Sequence, residues 1–98
     1  APEHFIPYPL PMVGKGQLEM LLDTPYFSIM RYSHCHDAVL PADIRRFAML
    51  TALEPAQLHY ADRSLDMEAG QTVLLPANGE DISITGEELL YSCPAIKQ

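Results

Sequence analysis

An all-β fold, a sandwich or a jelly-roll barrel, is what this sequence predicts, and three observations predict it. From Tyr26 onward, apolar and polar residues alternate in short runs. Gly, Pro and Asn break those runs at the spacing of strand-to-strand turns. The opening stretch is too rich in proline to be helical, since five of the nine prolines fall within the first 25 residues. Each one removes a backbone donor and pushes its predecessor toward extended backbone.

Residues 1–25 therefore read as an extended arm or linker, with Phe5, Ile6, Tyr8 and Leu10 packing on their own barrel or on another domain. Within it, "GQLEMLLD" carries helix formers and predicts one or two helical turns, stopped before Pro25. Residues 26–98 form the domain proper. "YFSIMRY" alternates Phe27 and Ile29 against Ser28, and "RFAMLTALEPAQLHY" is one long run or two strands bent at Glu54-Pro55. "SLDME" alternates Leu65 and Met67 with polar residues, and Ala69-Gly70 turns the chain. "TVLLPA" is a short apolar strand, Asn78-Gly79 the strongest turn signal, "DISIT" alternates, Gly86 turns again, and "EELLYSC" closes the series. Six to eight short strands with no repeats give the fold class.

Ninety-eight residues suit one compact domain. With 48% apolar and 19% charged residues, it has the composition of a folded globule. Thirteen acidic against six basic residues give a formal charge of −7. That balance argues against nucleic acid and anionic membrane, because phosphate contacts need clustered Lys and Arg. Arg45-Arg46, the adjacent basic pair, reads as a solvated strand entrance. No apolar run reaches membrane-spanning length. Cys35 and Cys93 form no CxxC pair, so reduced thiols and a cytoplasmic location are expected.

The motifs "TPYFSIMRY", "RFAMLTAL" and "LDMEAGQTVLLPANGEDISITGEELLYSC" together resemble the C-terminal domain of type I mannose-6-phosphate isomerases (phosphomannose isomerases). In that family a "PYF", a central hydrophobic strand, a "G-x-T-hydrophobic-hydrophobic-P-A" and a closing "G-E-L-L" recur in this order. "LLDTPYF" resembles the linker into that domain, and the resemblance covers roughly residues 7 to 94. It implies a cupin-like jelly roll from an enzyme that interconverts mannose 6-phosphate and fructose 6-phosphate. It also implies that zinc and the sugar-handling residues belong to a preceding catalytic domain. That domain's Gln/His pair, Glu, distant His and Arg-containing segment have no counterpart here.

Cupin metal sites bring about three inward ligands together and leave one coordination position open. Counting from Gly70, Pro76 falls where the second cupin motif needs it, but Asn78 and Asp81 stand where Gly and His are expected. The segment that should hold His-x-His and Glu reads "PADIRRFAM", with Asp43 its only acid. No catalytic, cofactor-binding or metal-binding residue is therefore assigned. In "SHCHD", His34 and His36 would share one strand face, with Cys35 on the other and Asp37 adjacent. Two ligands fall short of a site, and His59 completes it only if the fold brings it near. A polar surface loop or edge strand is the better account of "SHCHD". His4 carries no functional weight. Glu87-Glu88 read as solvated, and Tyr26, Tyr32, Tyr60 and Tyr91 as packed with their hydroxyls at the rim.

Three functions follow. The first is a non-catalytic C-terminal domain that covers an isomerase's catalytic domain through the arm and an apolar sheet face; the arm also offers a route to self-association. The second is a stand-alone small cupin binding a sugar or other small molecule in its barrel, which a plug of Met30, Met49, Phe47 and Leu74 would rule out. The third is a metalloenzyme built on His34 and His36.

Overall fold

The computed structural model describes residues 6–40, 47–77 and 81–94. Eight strands run in chain order: β1 Tyr8–Leu10, β2 Val13–Asp23, β3 Phe27–Leu40, β4 Ala48–Ala52, β5 Ala56–Tyr60, β6 Arg63–Met67, β7 Thr72–Leu75 and β8 Ile82–Pro94. All pairings are antiparallel. The main path is β1-β2-β3-β8-β4-β7, and β5 and β6 branch from β8. The all-β jelly-roll expectation holds.

The long strands β3 and β8 make the architecture by serving two sheets. The second half of β8 pairs with β4, from Leu89↔Ala52 to Ser92↔Met49. Its first half pairs instead with β5, from Ile82↔Tyr60 to Gly86↔Ala56. Gly86 lies where the strand changes partner, and it is not the turn that the sequence suggested. A Cβ there would come within 2.7 Å of the Ala56 Cβ, so only glycine lets β5 approach this closely.

Residues 16–23 are strand, which corrects the helical turns expected for "GQLEMLLD". Leu18 and Met20 are buried at period two, opposite Tyr32 and Met30 of β3 and Leu10 and Tyr8 of β1. Pairing on both sides with burial of one face outweighs a helix propensity of a few tenths of a kcal/mol per residue. Much of the proline-rich arm is thus sheet, although Ile6 stays 80% exposed. Phe5, His4, Asp43, Arg45-Arg46 and the Asn78-Gly79 turn lie outside the described residues.

The interior is one apolar cluster. Tyr32, Leu40, Leu50, Met67, Ile84 and Leu89 are its largest fully buried side chains, and no buried polar or charged residue occurs among the described residues. Met30 packs against this cluster. Phe47, Met49 and Leu74, expected as plugs, instead point outward, at 48%, 44% and 62% exposure. Leu50 opposes both Tyr91 and Val73, so its neighbour Met49 must face the other way. Tyr32 and Tyr91 are core residues and not rim residues.

Candidate functional site

Three places were open to function: the barrel interior, the "SHCHD" segment and the outer sheet faces.

The interior offers no chemistry. Inward positions on β4 are Ala48, Leu50 and Ala52, and on β8 Ile82, Ile84, Leu89, Tyr91 and Cys93. Burial pushes the Tyr32 hydroxyl well above its ordinary pKa, helped by Tyr91, Cys35 and Cys93 nearby. It stays protonated and is no base. Burial likewise raises the Cys35 thiol, which makes it a poor nucleophile. Neither Cys35 nor Cys93 forms a disulfide.

"SHCHD" is part of β3, and the structure bends it. The register slips between Cys35 and Ala38, and His34 and Asp37 adopt left-handed φ of 53° and 52°. Cys35 turns inward while His34 and His36 stay exposed, as alternation implies. Gly14 and Gly16, also at positive φ, lie against this bulge. The histidines border a shallow saddle of about 750 Å³ with Gln57, Asp66, Glu68 and Glu87 on its rim. His34 Nδ1 is 3.0 Å from Glu87 Oε1, and His36 Nε2 is 3.5 Å from Asp37 Oδ2. His59 does not join them. It bonds Ser64 Oγ at 3.1 Å, one row farther along β5. Among the described residues no three His, Cys, Asp or Glu side chains group as a metal site. The donor set does not fit a metal.

The outer faces differ sharply. Over β5 and β6 the outward positions are Gln57, His59, Ser64 and Asp66, continued on β8 by Ser83 and Thr85. Over β4 and β7 a row crosses five strands, with Leu22, Ile29, Met49 and Leu74 apolar and Ser92 between Ile29 and Met49. Phe27 and Pro94 pair beside it, and Phe47 projects on the same side as Met49. A depression of about 370 Å³ opens among Phe27, Ile29, Phe47, Met49 and Pro94. At one margin Arg31 bonds Glu19 at 2.6 Å and approaches Glu88 at 3.8 Å. The sequence reading expected an apolar sheet face but placed Phe47, Met49 and Leu74, which form it, inside the barrel. The signal for this face was there: "RFAML" and "TVLL" are apolar without alternation, as strands covered on both sides are.

No family model and no curated protein matches the sequence, but solved structures match the fold. Mannose 6-phosphate isomerase from Bacillus subtilis superposes with a TM-score of 0.75 at 22% identity, over 91% of this chain. An RmlC-like cupin from Shewanella frigidimarina superposes with a TM-score of 0.72 at 14% identity, over 98% of this chain. The fold is a cupin's. The chain spans 28% of the length of the Bacillus isomerase and 94% of the Shewanella protein. KdgF from a Halomonas species, at a TM-score of 0.66 and 9% identity over 84% of this chain and 80% of that one, adds a third. No helix among the described residues is long and apolar enough to cross a membrane.

Proposed function

We propose that this cupin is a non-catalytic module resembling the C-terminal domain of type I mannose-6-phosphate isomerases, whose role is to cover and stabilise a neighbouring catalytic domain. The observation that carries this reading is the interior: every buried side chain among the described residues is apolar or aromatic or a thiol. Among the described residues such an interior supplies neither the acid/base pair nor the ligands that sugar isomerisation needs. The match to 28% of an isomerase's length is consistent with one module of a larger enzyme. Zinc and the sugar site then belong to the catalytic domain, and the cytoplasm is the location, in keeping with two cysteines outside any disulfide. A docked module lowers the free energy of both folds by mass action.

The test is direct. The 98-residue chain should not turn over mannose 6-phosphate above background, and the native gene product, isolated from its own cells, should be several times heavier than 10.9 kDa. Turnover by the isolated chain refutes the non-catalytic role.

A second reading rests on the Shewanella cupin, of which this chain covers 94%. As a stand-alone cupin it would take its small molecule in the barrel, where an apolar depression of about 330 Å³ opens among Leu58, Tyr60, Leu65, Val73 and Ile82. A native mass near 10.9 kDa favours this reading.

A further inference from the structure

Resting on the module reading, we propose that the outer face of β4, β7, β8, the first half of β3 and the end of β2 is the docking surface, and that a second folded domain of the same polypeptide covers it. The partner would present an apolar patch and seat one aliphatic or aromatic side chain in the depression between Phe27, Phe47 and Met49.

The first support is an internal contrast. β3 and β8 each run through both sheets, so one pair of strands supplies outward residues to two environments. Where they meet β5, the outward residues of β8 are Ser83 and Thr85; where they meet β4, outward residues include Ile29, Leu90 and Pro94. An antiparallel sheet with one solvated face alternates apolar with polar; β5, β6 and the facing half of β8 obey, whereas Ile29, Leu90, Met49 and Leu74 depart from it. Phe27, Phe47, Met49 and Leu74 are all more than 40% exposed on this one face. Clustering of this kind marks an interaction site, whereas scattered apolar residues do not.

Size and charge choose the occupant. Five strands about 4.8 Å apart, two or three outward residues deep, make a patch on the order of 400 Å². Covering it removes about 800 Å² from water in total, below the roughly 1,200–2,000 Å² of stable complexes between separate chains. It lies within the roughly 600–1,500 Å² typical between domains of one chain, where linkage supplies a high effective concentration. A second copy is disfavoured further, because each carries a formal charge of −7.

Methionine oxidation reads this face without mutating it. The native gene product and the 98-residue chain would be treated with hydrogen peroxide, and sulfoxide formation at Met49 followed by peptide mass spectrometry, with Met12, off this face, as reference. Met49 should oxidise at least about tenfold more slowly in the native polypeptide, since burial shields the thioether. The 98-residue chain should sediment as a monomer. Equal Met49 rates, a native product no longer than 98 residues, or a dimer of the isolated chain that itself shields Met49 would each overturn the proposal. A longer product that shields Met49 but lacks isomerase activity keeps the docking surface and removes the isomerase reading. An active isomerase with Met49 freely oxidised does the reverse.

Discussion

Tyr32 and Tyr91 meet edge to face inside the barrel, with ring centroids 6.2 Å apart and planes inclined at 79°. They lie diagonally across the β3–β8 pair, where Tyr32 opposes Leu89 and Tyr91 opposes Met30. Such a contact adds roughly 0.5–1.5 kcal/mol to the area the rings bury. Both rings belong to the buried core, at 1% and 6% exposure.

That burial makes the fold sensitive to alkali. Tyr32 is 1% exposed and its folded-state pKa is raised, so the folded protein holds a proton that the unfolded chain releases near pH 10. The stabilisation is complete below that value and falls as pH rises through it, by about 1.4 kcal/mol per pH unit for one group. Thermal melts between pH 9 and about pH 11.5 should show this loss. Tyr32→Phe, though less stable at neutral pH, should show a slope shallower by about that amount. An unchanged slope in the variant would mean that Tyr32 ionises freely.

Leu50 and Met49 are neighbours in sequence with opposite fates. Leu50 is 0% exposed at the junction of β4, β7 and β8, whereas Met49 is 44% exposed. In the 98-residue chain, Leu50→Ala should cost about 2–5 kcal/mol by urea denaturation. Met49→Ala should cost no more than about 0.5 kcal/mol. Comparable losses would place Met49 in the core and remove the outer face.

Those two residues also show where sequence reading succeeds and fails. The strand count and the β4–β5 break at Glu54-Pro55 were legible, because turns are local signals. The phase of "FAMLT" was not, because a strand apolar on both faces gives alternation nothing to mark, and a one-residue slip reverses every side chain. "GQLEMLLD" failed for a different reason: its partners Tyr32 and Met30 lie more than a turn's length away and cannot be read from the segment itself. Gly86 looked like a turn because a strand that bends between two sheets uses the same residue as a hairpin does.

His34 and His36 should leave the protein free of bound metal. Their ring nitrogens pair with Glu87 and Asp37 on an open surface, and no third ligand joins them among the described residues. After incubation with zinc and desalting, atomic absorption should find less than about a tenth of an equivalent, since a built site would be mostly filled. One retained equivalent that disappears in the His34→Ala and His36→Ala variants would revive the metalloenzyme reading.

Positive φ occurs at residues of different kinds, and their substitutions should separate in sign. Gly14 has φ 102°, and a Cβ there would fall on the Asp37 carbonyl oxygen and within 2.8 Å of the Ala38 Cα. Gly70 has φ 89° with nothing within 4 Å. Gly70→Ala should therefore cost only the backbone strain, about 1–2 kcal/mol. Gly14→Ala adds an overlap with backbone that cannot rotate away, and should cost at least about 1 kcal/mol more. Ala61 is the converse case: a non-glycine at φ 55° in the two-residue turn between Tyr60 and Arg63. Ala61→Gly relieves the strain but loosens the unfolded chain, which leaves a net gain of up to about 1 kcal/mol. Measured by denaturation, the order of stability should run Ala61→Gly, wild type, Gly70→Ala, Gly14→Ala. Gly14→Ala matching Gly70→Ala would show that β2 does not approach the β3 bulge as closely as Asp37 and Ala38 require.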